Sequence, residues 1–181
     1  MKTSLAVSFL ALLIVPSARA NSQAIAACGQ SDVKFEVKIS SGVHTVPAPE
    51  AGKALVIFLQ DDAQFNTRPR PTDKFGIDGA WAGATDGATY FYVSVDPGEH
   101  QLCAEWQSSV LLLGRKAPTG VASFTAEAGR VYYYKARDIW VTDHSGALVW
   151  GPEVRLEPMD INAAQDYVKD FSLCSSTVKK K

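Results

Sequence analysis

Turn-forming groups interrupt this chain at short intervals: Asp78-Gly79, Asp96-Pro97-Gly98-Glu99, Ala128-Gly129 and His144-Ser145-Gly146. The runs between them are too short for independent helices and rich in β-branched and aromatic residues, which restricts the chain to a sheet-built fold. Val33-Lys34-Phe35-Glu36-Val37-Lys38-Ile39 alternates apolar with charged side chains, so one face of that strand is buried and the other wet. Ala54-Leu55-Val56-Ile57-Phe58-Leu59 is continuously apolar and predicts a central strand covered on both faces, with a short buried helix as the alternative. Residues 75–82 form a hairpin about Asp78-Gly79, a pair suited to positive φ. Thr89–Val95 and Glu99–Trp106 follow, joined where Pro97 fixes φ and Gly98 supplies the positive φ of a type II turn. Val121–Glu127, Arg130–Val141, Ala147–Trp150 and Val154–Leu156 are further strand-like runs. Helical periodicity appears only after Pro158, where Asp160 is a candidate N-cap and Ile161, Ala164, Tyr167, Val168 and Phe171 recur at three-to-four spacing. The predicted fold is mainly β: an antiparallel Ig-like or transthyretin-like β-sandwich of about seven to nine strands with one short C-terminal helix.

The N-terminus stands outside this pattern. Lys2, an apolar run from Leu5 to Val15, the helix breaker Pro16 and the small-residue end Ala18-Arg19-Ala20 have the layout of a secretory signal with an A-x-A cleavage site. The apolar run is too short to cross a bilayer as a stable helix, and no second apolar stretch of spanning length occurs. A rival site, Ile25-Ala26-Ala27-Cys28, resembles the lipobox at which bacterial lipoproteins are cut and acylated on cysteine. Arg19, Asn21, Ser22 and Gln23 separate it from the apolar run, so cleavage after Ala20 is the favoured reading. The predicted organisation is a signal peptide over 1–20, one β-sandwich domain over 21–174 and a flexible lysine-rich tail over 175–181. Eighteen basic and nineteen acidic side chains give a net charge of −1, and loss of Lys2 and Arg19 with the signal makes it −3. With no block of one sign, a nucleic-acid partner is excluded.

Gly76-Ile77-Asp78-Gly79-Ala80-Trp81-Ala82-Gly83, Thr89-Tyr90-Phe91, Asp96-Pro97-Gly98-Glu99-His100 and Ala126-Glu127-Ala128-Gly129-Arg130-Val131-Tyr132-Tyr133-Tyr134 follow one another in an order that resembles a bacterial family known as domain of unknown function 2846. The resemblance covers about residues 53–157. It implies an exported, envelope-associated β-sandwich and brings no catalytic residues. Cys28, Cys174, the Leu-rich loop and the lysine tail lie outside it.

Catalytic signatures are missing. There is no G-x-S-x-G elbow, and His44, His100 and His144 are far apart with no metal-ligand pair such as H-E-x-x-H, so no catalytic residue, metal or cofactor is assigned. His100, just after the turn, reads as structural or solvent-facing. Asp61, Asp62, Asn66, Asp73 and Asp78 offer oxygen ligands but lack a calcium-loop spacing and read as solvated loop acids. Arg68 and Arg70 sit in an extended Pro-containing loop suited to gripping an acidic glycan or peptide, or to being a stiff surface loop. Trp81, Trp106, Trp140 and Trp150 with Tyr132-Tyr133-Tyr134 are either core or a sugar-stacking face, and alternation sends at least one tyrosine ring inward. The candidate ligand-binding residues are therefore Arg68, Arg70, Trp140 and Trp150. Val110-Leu111-Leu112-Leu113 beside Gly114-Arg115-Lys116 is a candidate partner or lipid contact, or else an extension of the strand ending at Trp106 that tucks into the core.

The cysteines point to a compartment. On the Leu102–Trp106 strand, Leu102, Ala104 and Trp106 share one face and Gln101, Cys103 and Glu105 the other, so Cys103 faces away from the main core. A thiol there in an oxidising compartment is placed to pin a segment crossing the outer face, and Cys28–Cys103 is the predicted disulfide, with Cys174 a free or intermolecular thiol. The sequence thus predicts a non-enzymatic exported protein, periplasmic or extracellular, that binds or supports another envelope component, an unknown envelope protein or glycan. The alternatives are a carbohydrate- or peptidoglycan-binding module and, less favoured, an envelope hydrolase. N-terminal sequencing of the exported form is expected to begin at Asn21; an acylated Cys28 would instead place the protein on a membrane.

Overall fold

In the computed structural model, which describes residues 27–28, 33–65, 70–107, 119–142 and 150–179, ten strands and one helix build two facing sheets. The strands are β1 (Phe35–Ser40), β2 (Ala54–Asp61), β3 (Thr72–Ile77), β4 (Ala80–Asp86), β5 (Thr89–Val95), β6 (Gly98–Trp106), β7 (Gly120–Ala126), β8 (Val131–Thr142), β9 (Trp150–Pro158) and β10 (Ser172–Val178), with α1 (Ile161–Asp170) before β10. The larger sheet runs β1-β10-β5-β2-β8-β9 and the smaller β4-β3-β6-β7. The fold is a mainly β sandwich, as the sequence predicts, but ten strands exceed the seven to nine expected. The larger sheet is also mixed, because β2 runs parallel to β8 and β10 parallel to β5.

β2 shows why its sequence has no polar alternation. It lies between β5 and β8, so both backbone edges are hydrogen-bonded, and both of its faces are covered. Val56 and Phe58 face the smaller sheet, where Phe58 meets Phe75 of β3 at a ring separation of 4.8 Å, and its β5 register partner Phe91 packs beside it at 5.3 Å. Leu55, Ile57 and Leu59 face outward beneath α1, against Tyr90, Tyr133, Ala164 and Val168. Each large apolar side chain buried in this way contributes roughly 1.5–3 kcal/mol. The tyrosine run obeys the same alternation, with Tyr133 under the helix and Tyr134 between the sheets. The Asp160 carboxylate accepts from Asn162 N at 2.9 Å and caps α1 as expected, whereas Ile161, on the predicted apolar stripe, is half exposed.

The C-terminus departs from expectation. Ser175 to Val178, predicted as the start of a flexible tail over 175–181, continue β10, which pairs antiparallel with β1 and parallel with β5. Lys179 N donates onward to Lys34 O at 2.7 Å. Cys174 is therefore buried between the sheets, with its Sγ 3.6 Å from Ala84 O. Of the two expected outcomes, a free or an intermolecular thiol, it is the free one, and burial pushes the thiol up to about 11.

Ala27 and Cys28 lie on the outer face of the smaller sheet. Cys28 is bonded to Cys103, whose side chain points away from the Leu102, Ala104 and Trp106 face, and Ala27 and Trp81 surround the bridge. Gly79 N donates to Ala27 O at 3.0 Å, and the Lys74 ammonium donates to Val33 O at 3.3 Å while lying over the Trp81 ring. Gly76 makes the close approach possible, since a Cβ there would stand 2.9 Å from both Ala27 O and Cys103 Sγ. Gly76→Ala is expected to lower stability by about 2 kcal/mol through this overlap, measured by denaturant unfolding. Removing the bridge as Cys28→Ser with Cys103→Ser is expected to cost on the order of 4 kcal/mol in the chain-entropy account.

Candidate functional site

The strand directions give the sandwich two unlike ends. At the near end lie the tight connections, 78–79, 96–97 and 127–130. At the far end β2, β4, β6 and β8 finish, the two-residue turn 87–88 joins β4 to β5, and three of the four internal stretches outside the described residues, 66–69, 108–118 and 143–149, are flanked by residues of that end. β8 passes the last residue of β2, which pairs with Arg137, and continues to Thr142 against β9 as a projecting ribbon.

The near end is fastened by His100. Asp78 and Gly79 take φ of 49° and 83°, the left-handed pair that a two-residue hairpin needs. The Asp78 carboxylate then accepts from Gln101 N at 2.8 Å and contacts His100 Nδ1 at 2.6 Å, while His100 Nε2 lies 2.7 Å from Asp96 O. Both ring nitrogens thus face acceptors, a geometry complete only when the imidazole carries both protons. Partial burial pulls the His100 pKa down, but the Asp78 hydrogen bond and the Asp96 carbonyl outweigh it and raise it above 6.5. Asp78-Gly79 and Asp96-Pro97-Gly98-Glu99-His100, separate turns in the sequence, form one clasp.

The far end holds an interior polar network. Asp138, from β8, accepts from Trp106 Nε1 at 2.6 Å and from Gln60 Nε2 at 3.0 Å. Gln60 also donates to Pro71 O at 2.9 Å and accepts from Thr85 Oγ1 at 2.9 Å, so β2, β4, β6, β8 and the segment before β3 meet at one point. Asp73, the β3 residue paired with Trp106, is fully buried, and neither of its carboxyl oxygens finds a donor among the described residues. Burial, and then the neighbouring Asp138 charge, push Asp73 well above the ordinary carboxylate range, and burial raises Asp138 to about 6 despite its donors. Asp62 beside them is also raised by burial, against the opposing pull of Arg70, whose Nε lies 3.5 Å from its carboxylate.

Several predicted sites are placed by this geometry. Asp62 and Asp73 are interior rather than solvated loop acids, Asp61 is bonded on the helix-covered face to Lys135 at 3.3 Å, and Asp78 belongs to the opposite end. Among the described residues, no three His, Cys, Asp or Glu side chains form a group able to hold a metal ion. Trp106 is core, and Trp81 packs on the disulfide cluster. Arg70 is half exposed at the far end. The backbone of Trp140 and Trp150 lies in the β8–β9 ribbon, in register with Pro152 and Thr142 respectively. Arg68 and the loop residues Val110, Leu111, Leu112 and Leu113 lie outside the described residues, as does His144. The acid pair itself was missed by sequence reasoning. Its signal was present, because alternation along β8 puts Asp138 on the face of Tyr134 and Ala136, where a charge is out of place. Comparison with protein-family models, with curated proteins and with solved structures finds no match.

Because folding raises the His100 pKa, the near-end clasp contributes fully below pH 6.5 and its contribution disappears as pH rises through the folded-state value. His100→Gln is expected to lower the melting temperature at pH 5.5 by about 2 °C and to change it little at pH 8.5, as measured by scanning calorimetry.

Proposed function

We propose that this protein is an exported, non-enzymatic β-sandwich that binds or supports another component of the cell envelope and presents its far end to that partner. The observation carrying this reading is the Cys28–Cys103 bridge, which is compatible with an oxidising, exported location, the periplasm or cell exterior. The signal layout at residues 1–20 and the resemblance to the family of unknown function 2846 support the same placement. The unlike ends supply the polarity, since the near end is closed by short turns and the His100 clasp, whereas the connections after β2, β6 and β8, though not the two-residue turn after β4, are long and leave from the far end. Among the described residues, no helix is long and apolar enough to cross a membrane.

One observation favours a second reading, a carbohydrate- or peptidoglycan-binding module. The β8–β9 register brings the backbone of Trp140 and Trp150 into a single projecting ribbon at the same end as Arg70, so two aromatic residues and a guanidinium, residue types that serve sugar stacking, lie at one end.

Photo-crosslinking in cells from Arg70 and Glu153 at the far end is expected to capture a discrete partner that Glu127 and Arg130 at the near end do not. Catalytic turnover of a glycan, peptide or ester by the mature protein, abolished by one point change, would overturn the reading. Retention on insoluble cell wall that is lost in Trp140→Ala and Trp150→Ala would favour the sugar-binding alternative.

A further inference from the structure

We propose that Asp73 and Asp138 share one proton between the two sheets, and that this proton is a latch that holds the far end of the sandwich closed and releases it as the pH rises. The inference stands apart from the partner reading, because it concerns how the two sheets are fastened rather than what they meet.

The donor inventory forces the assignment. Asp138 has both oxygens engaged as acceptors, one from the Trp106 indole and one from the Gln60 amide, so it is the ionised member of the pair. Among the described residues Asp73 has no donor on either oxygen, and it is fully buried. An ionised Asp73 in that position would be a second, wholly unsolvated negative charge beside the first, whereas a protonated Asp73 becomes a donor, and the Asp138 carboxylate is its neighbour. The bond so formed links β3 of the smaller sheet to β8 of the larger, and Trp106 of β6 makes the same crossing to the same carboxylate.

The other charged groups around the pair do not supply a substitute cation. Just after β2, Asp62 lies beside it and is held by Arg70, while Asp61 at the end of β2 points to the helix-covered face with Lys135. Alternation sends Lys74 of β3 and Glu105 of β6 to the outer face of the smaller sheet, where they lie 3.7 Å apart. Arg137 of β8 and its register partner Arg155 of β9 belong to the outer face of the larger sheet, and the β9 residue opposite Asp138 is Val154. Asp86 of β4 adds a further negative charge near Asp62. Loss of the shared proton to solvent therefore leaves two adjacent buried carboxylates with no compensating cation among the described residues, and the strands carrying them separate or admit water.

The direction in pH follows from linkage. The folded protein keeps a proton that the unfolded chain gives up near the ordinary carboxylate value of about 3.9, so stability falls as pH rises through the folded-state titration of the pair. The two acids are not equivalent under substitution. Asp73→Asn keeps the shape and supplies a permanent N–H donor to Asp138. Asp138→Asn leaves one carbonyl oxygen to serve both Trp106 and Gln60 and turns an N–H₂ toward one of those donors.

Thermal unfolding of the full mature protein between pH 5 and pH 9 tests the latch, with His100 retained in every variant so that the near-end clasp cancels. Relative to wild type, Asp73→Asn is expected to melt about 3 °C higher at pH 8 and to show a flatter decline with pH, while Asp138→Asn melts lower throughout. Proton NMR of the Trp106 indole N–H supplies a readout that a merely structural role would not move: its shift titrates above pH 5 in wild type and is fixed in Asp73→Asn. Should the variant fail to fold, side-chain carboxyl carbon NMR of the wild-type protein decides alone, since one aspartic acid must remain protonated above pH 5 after the other aspartates have ionised. Complete ionisation of every aspartate by pH 5, or identical pH profiles for wild type and Asp73→Asn, would overturn the proposal.

Discussion

The covering of β2 on both faces, with both of its backbone edges hydrogen-bonded, is the constraint from which the rest of the architecture follows. Six successive apolar residues leave no side of this strand that water can occupy, so the chain must supply a second sheet over Val56 and Phe58 and a separate cover over Leu55, Ile57 and Leu59. The smaller sheet meets the first need and α1 the second. The helix is amphipathic and short because only Ala164 and Val168 have to be fully buried for the cover to close. Parallel pairing with β8 and antiparallel pairing with β5 then fix the order of the larger sheet around this strand.

Closure at the outer face of the smaller sheet depends on a different kind of fit. Covering that face with the segment at Ala27 and Cys28 requires the backbone to approach within contact distance of β3, and Gly76 leaves the room. The disulfide removes freedom that the unfolded chain would otherwise regain, and the Gly79 and Lys74 hydrogen bonds satisfy carbonyls of the crossing segment. The strap thereby shields Cys103 and Val121, which the alternation of their strands sends away from the main core.

The two ends handle charge in opposite ways. At the near end a histidine lies between a carbonyl and the half-exposed Asp78 carboxylate at the surface, so its protonation adjusts at modest cost. At the far end two carboxyls lie in the interior with an indole and an amide, where the low dielectric makes an unpaired charge expensive and a shared proton the economical solution. An interior acid network is unfavourable for stability compared with an apolar core, which sets it apart from the uniformly apolar packing around Phe58.

Local chemistry in the sequence determined the strands that alternate or are continuously apolar, the Asp78-Gly79 hairpin, the Asp160 cap and the outward direction of Cys103, because each rests on residues a few positions apart. For the partner of Cys103 it favoured Cys28 over Cys174 without deciding between them, and the burial of Cys174 within β10 decided it. Tertiary structure alone decided that Ser172–Val178 is a strand. Its small polar residues carry no strand signature, and it forms because β1 and β5 offer hydrogen-bonding edges on either side. The meeting of Asp73 with Asp138 was likewise decided only by the stacking of two sheets. Sixty-five positions apart in the chain, the two acids have no local relation, and a carboxyl reveals its proton only when the neighbours that remove it from water are in place.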